Sequence, residues 1–209
     1  GTPVTSETYD VDYPDHFWWR VLETRRGFTP GNDGIDFNAT SFAGEVFEGS
    51  PYDALAGDDV VILPSEANAG NFRDATGAPV FTLDNVVFRA GSGHDRVDGA
   101  AIARHRTTLL GGEGDDTLTG GARQDSLKGG TGADVLFGGW GNDHVDAGAG
   151  DDRLMGGNRA ADGTFADRDS YYLPGARNDY EFEDRETGLT LVRHAGSGEL
   201  DRVRQFEKV

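Results

Sequence analysis

Aliphatic residues recur at every ninth position through the middle of the chain: Leu118, Leu127, Leu136, Val145 and Leu154. Two places before each stands an aspartate, namely Asp116, Asp125, Asp134, Asp143 and Asp152. The blocks read GGEGDDTLT, GGARQDSLK, GGTGADVLF, GGWGNDHVD and AGAGDDRLM, and they fill residues 111–155 without a gap. The six residues ending in Asp suit a turn, because glycine enters positive φ without a Cβ penalty. The triplet that follows suits a short strand with its middle side chain inward. The pattern predicts an all-β fold, a right-handed parallel β-roll in which two units make one coil.

Turns then alternate between the two sides of the roll, so each stacks on the turn two units later. Asp116, Asp134 and Asp152 line one edge, and Asp125 and Asp143 line the other. Carboxylates repeating at the strand spacing of about 4.8 Å repel one another unless counter-ions intervene. A hard cation that takes 6 to 8 oxygen ligands fits between such carboxylates and the glycine carbonyls. The fifth-position Asp of each GDD, Asp115 and Asp151, is expected to face water.

The array continues imperfectly at both ends, as repeat ends usually do. Upstream, AGSGHDRVD (90–98) is a good unit with Asp95 at the ligand place and Val97 inward. Between it and the main run lies GAAIARHRTTLL, which carries Thr107 where Asp is expected, so that turn is read as metal-free. Downstream, GGNRAADGTFADRDSYYL starts as a unit, swells into a loop and recovers with Asp169 and Tyr171, a degenerate capping unit. Within the run, Arg123 replaces the fourth glycine and Ala147 the first, the former being the more damaging change.

These five units in register resemble the RTX family of secreted bacterial proteins. The resemblance is strong over 90–172 and weaker elsewhere. It implies calcium ligation by Asp95, Asp116, Asp134, Asp143 and Asp152, and less securely by Asp125 and Asp169. The turn glycines Gly111, Gly112, Gly114, Gly120, Gly129, Gly130, Gly132, Gly138, Gly139, Gly141, Gly148 and Gly150 would complete the sites. It also implies export by a type I secretion apparatus of a Gram-negative bacterium, with folding in millimolar calcium at the cell surface or in the medium. The motif is specific for calcium and secretion, not for a parent activity.

Composition sharpens this picture. Of 32 glycines, 18 fall between residues 90 and 157, which sets the middle of the chain apart. The formal charge is −18 with only 36% hydrophobic residues, so the chain is expected to stay largely unfolded until something neutralises it. About five or six Ca2+ would bring roughly +10 to +12 charges. Such acidity argues against nucleic acid and anionic membranes as partners. There is no cysteine for disulfides, and no apolar run approaches the roughly 18 residues of a membrane span. No Sec-type signal is evident, and the chain, opening on Gly1, is read as a piece of a larger protein.

The flanks read less clearly. Residues 1–30 hold Tyr9, Tyr13, Phe17, Trp18, Trp19 and Phe28, read as an amino-terminal cap or linker rather than a sugar-stacking platform. The cluster of Asp10, Asp12 and Asp15 lacks the EF-hand glycine and terminal Glu and reads as an acidic loop. Residues 31–89 read as irregular roll coils with side loops. There EGSPYDALA puts Asp53 at a ligand place and Leu55 inward, and GDDVVIL follows with a shortened turn at Asp59. Asp36, Asp53 and Asp59 suit either further calcium or ordinary turns. The nonapeptide roll proper spans 90–172. From 173 to 209, alternation of Tyr180, Phe182 and Asp184, then of Leu189, Leu191 and Arg193, predicts a β-strand cap. Its end, with Asp201, Val203, Phe206 and Glu207, is similar to the segment that closes many RTX arrays.

Catalytic signatures are missing: there is no H-E-x-x-H, no G-x-S-x-G, no phosphate loop and no Cys nucleophile. The GDD pairs are not read as glycosidase acids, since calcium ligands are driven toward ionisation rather than toward the raised pKa of a general acid. His94 and His144 sit at non-ligand repeat places and read as surface residues. The reading is a non-catalytic calcium-binding module of a larger extracellular protein. The alternatives are a polysaccharide-binding accessory module, for which basic residues such as Lys128 and Arg153 must cluster on one sheet face, and a rigidifying segment of a surface adhesin or S-layer protein.

Overall fold

The computed structural model describes residues 27–38, 50–70, 73, 74, 76–157, 168–174, 177–185 and 189–204. The readings made for Tyr9, Tyr13, Phe17, Trp18 and Trp19, for Asp10, Asp12 and Asp15, and for Phe206 and Glu207 lie outside them.

Successive nonapeptide triplets become strands that alternate between two sheets. One holds β1 (Gly34–Asp36), β2 (Val60–Ile62), β4 (Arg96–Asp98), β6 (Thr117–Thr119), β8 (Val135–Gly139) and β10 (Arg153–Gly157), parallel and in that order. The other holds β3 (Val86–Ser92), β5 (Thr107–Glu113), β7 (Ser126–Thr131), β9 (His144–Ala149) and β11 (Ser170–Tyr172), also parallel. Leu118 pairs with Leu136 and Leu136 with Leu154 across the first sheet; Leu109 pairs with Leu127 and Leu127 with Val145 across the second. All six are fully buried. Each coil therefore advances by 18 residues through the regular run, two units per turn of chain.

Two central aliphatics per coil, about 1.5–3 kcal/mol each, make a thin core for so much ordered chain. The fold is held elsewhere, at the turns. Backbones there approach so closely that a Cβ on Gly112, where φ is 132°, would overlap the carbonyl oxygen of Gly91 in the coil before. Only glycine satisfies both demands.

The coils upstream are more regular than the sequence suggests. Val60 is preceded by a full-length turn, and ALAGDDVVI (54–62) is a complete nonapeptide. Asp53 bridges to Arg89 and Ala56 to Ser92, which sets Leu55 against Gly91 at the second-glycine place. Leu55 accordingly has φ 77° and is 47% exposed, so it does not point inward as expected. Ala54 is the buried residue. One coil earlier, Ile35 pairs with Val61, so Asp36 occupies the ninth place, on the strand, and Asp33 the sixth.

At the carboxyl end the first sheet turns antiparallel. β10 pairs in parallel with β14 (Leu200–Arg204), which then pairs antiparallel with β13 (Leu189–His194) and that with β12 (Tyr180–Arg185). Leu189, Leu191 and Arg193 do share a face, but it is the outer one. Val192 is the buried residue, because β14 continues the inward register of Leu154 through Val203 and so fixes which side of β13 meets the core. On β12, Phe182 pairs with the buried Val192 and is itself 39% exposed.

Candidate metal centre

The sixth-position aspartates form two ladders, one on each edge. On the first, the backbone N–H of Asp33 donates to Asp59 Oδ1 at 2.7 Å, Asp59 to Asp95 at 2.8 Å, Asp95 to Asp116 at 2.9 Å, Asp116 to Asp134 at 2.8 Å and Asp134 to Asp152 at 2.8 Å. The chain of bonds ends with Asp152 N–H on Asp201 Oδ1 at 3.2 Å. On the second edge Thr107 donates to Asp125 at 2.6 Å, Asp125 to Asp143 at 2.8 Å and Asp143 to Asp169 at 2.8 Å. Asp95, Asp116, Asp125, Asp134, Asp143, Asp152 and Asp169 are all in a ladder, as are Asp59, Asp33 and Asp201. Asp36 and Asp53 are in neither.

One oxygen of each carboxylate is thus spent on the neighbouring coil, and the other faces inward. The Oδ2 atoms of Asp59, Asp95, Asp116, Asp134 and Asp152 are buried and have no hydrogen-bond partner among the described residues. An orphaned buried carboxylate oxygen is costly, of order 1–3 kcal/mol or more. Burial pushes these acids up, Asp59 to about 8, Asp116 and Asp152 to about 7 and Asp134 to about 6. The neighbouring carboxylates of the ladder add to the rise. Burial raises Asp95 and Asp125 as well. His94 draws Asp95 and Asp116 back down without reversing the rise.

The remaining donors in reach are backbone carbonyls. Among the described residues no three His, Cys, Asp or Glu side chains form a metal-holding group. Where a unit of the regular run opens on glycine, that glycine packs against its own Asp Oδ2 and a carbonyl of the next coil: Gly129 against Asp134 Oδ2 and the Ala147 carbonyl, Gly120 against Asp125 Oδ2 and the Gly138 carbonyl, Gly138 against Asp143 Oδ2 and the Gly156 carbonyl. A Cβ would fill that cradle. Orphaned oxygen, adjacent carbonyls and excluded Cβ together fit a hard, oxygen-seeking divalent cation between coils.

The family model of the RTX calcium-binding nonapeptide repeat matches in four copies, over residues 107–122, 119–154 and 141–158. Residues 107–158 are RTX calcium-binding nonapeptide repeats. A comparison with curated proteins gives no match. The two sheets of parallel strands and the Asp ladders run past the matched RTX residues in both directions, to Asp33 and to Asp201.

The RTX ladders are closed at particular points by the protein's own donors. Asp33 Oδ2 accepts the Thr29 N–H at 2.6 Å and its hydroxyl at 3.1 Å. Asp201 accepts the Tyr171 hydroxyl on Oδ2, and burial together with that carboxylate pushes the Tyr171 phenol far up. On the second edge Asp125 Oδ2 accepts the Gly121 N–H at 2.6 Å, in the same turn that carries Arg123. That turn was singled out as the weakest for calcium, and here its carboxylate already has a donor.

The fifth position does not simply face water. Asp115 Oδ1 accepts the Ala133 N–H of the following coil at 2.7 Å, Asp58 accepts from His94 at 2.8 Å, and His94 Nδ1 accepts from Asp115 at 2.9 Å. Asp151 accepts the Leu200 N–H at 2.9 Å. These bonds form an outer ladder in which the acceptor lies in the earlier coil, opposite to the inner one. Among the basic residues, Lys128 and Arg153 fall on different sheets, and Lys128 is held by Asp146 at 3.3 Å, so they do not cluster. RTX repeats are typically non-catalytic. Although Asp59, Asp116, Asp134 and Asp152 are raised into the range of a general acid, they are 0–1% exposed, and no substrate can reach them.

Proposed function

We propose that this chain is a calcium-dependent folding module that takes up its roll outside the cell and supports type I secretion and stability of a larger extracellular protein of a Gram-negative bacterium. The roll would wind right-handed, as crossovers between parallel strands ordinarily do. The observation that carries the reading is the row of five buried carboxylate oxygens, Asp59 to Asp152, without hydrogen-bond partners among the described residues, those of Asp116 and Asp134 lying beside a carbonyl-lined cradle closed to a Cβ.

Asp59, Asp95, Asp116, Asp134 and Asp152 would hold ions on one edge, and Asp125, Asp143 and Asp169 on the other, with turn carbonyls completing each shell. Bound calcium supplies two positive charges and satisfies 6 to 8 oxygens. About five or six ions would offset more than half of the −18 formal charge. In low cytosolic calcium the repelling ladders would keep the chain open. Sites of about 10⁻⁴ to 10⁻³ M suit a switch thrown on leaving the cell.

Circular dichroism during a calcium titration tests this. The chain in EDTA should be largely disordered and should gain β structure cooperatively with Ca2+. Magnesium should not substitute, because it holds its waters and demands a tight octahedron. A spectrum already rich in β structure in EDTA and unchanged by calcium overturns the proposal.

A further inference from the structure

Between the last strand of the second sheet and the antiparallel cap lies a cavity of about 270 Å³. None of the aspartates assigned to calcium above lines it. Tyr171 and Tyr172 reach it from β11, Tyr180 from the start of β12, His194 from the end of β13, and Glu199 and Asp201 from the turn into β14. Tyr180 pairs with His194 across the two strands, and their rings lie 5.0 Å apart and 36° from parallel. Tyr172 is 48% exposed, so the ring at that side is open to solvent. The charge around the rings is negative. Asp179, Glu199 and Asp201 all bear on Tyr180, and no Lys or Arg lines the cavity.

Free hydrogen-bonding groups are few. The Tyr171 hydroxyl donates to Asp201 Oδ2 and the Tyr180 hydroxyl to the Pro174 carbonyl, while Asp201 Oδ1 takes the Asp152 N–H at 3.2 Å. Glu199 spends Oε2 on the Ser197 hydroxyl at 2.8 Å, and its Oε1 has no partner among the described residues. A hard metal ion seeking 6 to 8 oxygens is poorly served here, and so is a primary ammonium with three protons to place. A cation that carries its own apolar shell needs only ring surface and one counter-charge. We propose that this cavity binds a small quaternary ammonium compound, its alkylated head among the rings of Tyr171, Tyr172 and Tyr180 and its charge answered by Glu199. The space, about 270 Å³, falls just under the roughly 300–1,000 Å³ of drug-sized sites, so the guest is a molecule of few heavy atoms. The formal charge of −18 draws such a cation in.

The test is run on the folded chain in excess calcium, with the fold followed by circular dichroism. Choline is titrated calorimetrically into the wild type, Glu199→Gln, Tyr172→Leu and Trp140→Leu. Ethanolamine and the uncharged choline isostere, in which carbon replaces the nitrogen, serve as comparison probes. The wild type and Trp140→Leu, whose exposed indole lies on another turn, should bind choline alike. Glu199→Gln and Tyr172→Leu should each lose about threefold or more in affinity with an unchanged calcium midpoint. Ethanolamine and the isostere should bind roughly tenfold more weakly than choline or not at all. No saturable binding by the wild type, or undiminished binding by both cavity variants, overturns the proposal. Equal affinity for the isostere overturns it too, since apolar burial alone would then hold the guest. Ethanolamine binding as tightly as choline, or choline displaced by further calcium, would show a site built for hydrogen bonds or metal and has the same force.

Discussion

Asp116 donates its backbone N–H to the carboxylate of Asp134 at 2.8 Å, across a separation of 18 residues, and so ties each coil to the next through a buried acid. Asp134→Ala removes that acceptor and one of the orphaned oxygens together. The calcium midpoint should rise about tenfold or more, since losing a buried charged acceptor costs ~1–3 kcal/mol. Asp115→Ala loses only the exposed bond from Ala133 and should shift the midpoint by a factor of a few at most. Calcium titrations of both variants check the contrast; equal shifts would place the inner and outer ladders wrongly.

Leu55 holds φ 77° at a place where Gly91, Gly112, Gly130, Gly139 and Gly148 take positive φ in later coils. A left-handed backbone costs a non-glycine residue about 1–2 kcal/mol, of which glycine's greater freedom in the unfolded chain takes back ~0.5–1. Leu55→Gly should therefore stabilise the calcium-loaded protein by about 0.5–1 kcal/mol. Gly132→Ala should do the reverse and more, because its Cβ would overlap the Gly114 carbonyl. Thermal melts in excess calcium decide both, and a destabilised Leu55→Gly would contradict the assigned turn.

The raised acids give the calcium-free chain a pH dependence of definite sign. Asp59, Asp116, Asp134 and Asp152 hold their protons more tightly in the fold, with values of about 8, 7, 6 and 7, than the ordinary 3.8. Their contribution is fully present below pH 3.8 and is lost as pH rises through 6 to 8. In EDTA, β structure should be greater near pH 4 than at pH 8. At pH 7, adding calcium should release protons into a weakly buffered solution. A calcium-free spectrum that gains β structure on raising the pH would refute the burial of these groups.

Among the described residues the raised acids Asp59, Asp116, Asp134 and Asp152 are closed to substrate, and the contacts of His194 with Ser197 and Glu199 tie together a single turn. The purified chain should show no hydrolase, lyase or epimerase turnover with or without calcium. Assays on glycan, peptide and ester substrates check this, and turnover that co-purifies with the chain through successive columns would reverse it.

The regular coils were legible because their chemistry repeats: Asp at the sixth place and an aliphatic at the eighth survive even where glycines do not. Asp33, and Asp201 of the closing pattern, are not legible as ladder members for a physical reason. Asp33 belongs to a unit whose first three residues are Phe28, Thr29 and Pro30, so the opening glycine pair is missing and only the fourth-place Gly31 remains. Asp201 arrives after an antiparallel excursion, yet Asp201, Arg202 and Val203 repeat the spelling of Asp95, Arg96 and Val97. Asp53 misled because a plausible spacing can be laid over residues 48–56, whereas the pairing of Asp53 with Arg89 sets a different frame. The outward face of β13 could not be read from alternation, which gives two faces without saying which one meets the core.

The first ladder can be regarded as a linear polymer of carboxylates with two unlike end groups, the Thr29 hydroxyl at Asp33 and the Tyr171 phenol at Asp201. Between them, every link is made the same way, and no interior coil depends on its distance from either terminator. Duplicating two adjacent units in the interior would therefore insert one more monomer into each edge and leave both ends chemically intact. Growth by internal duplication is built into this chain, and its length is a matter of copy number rather than of architecture.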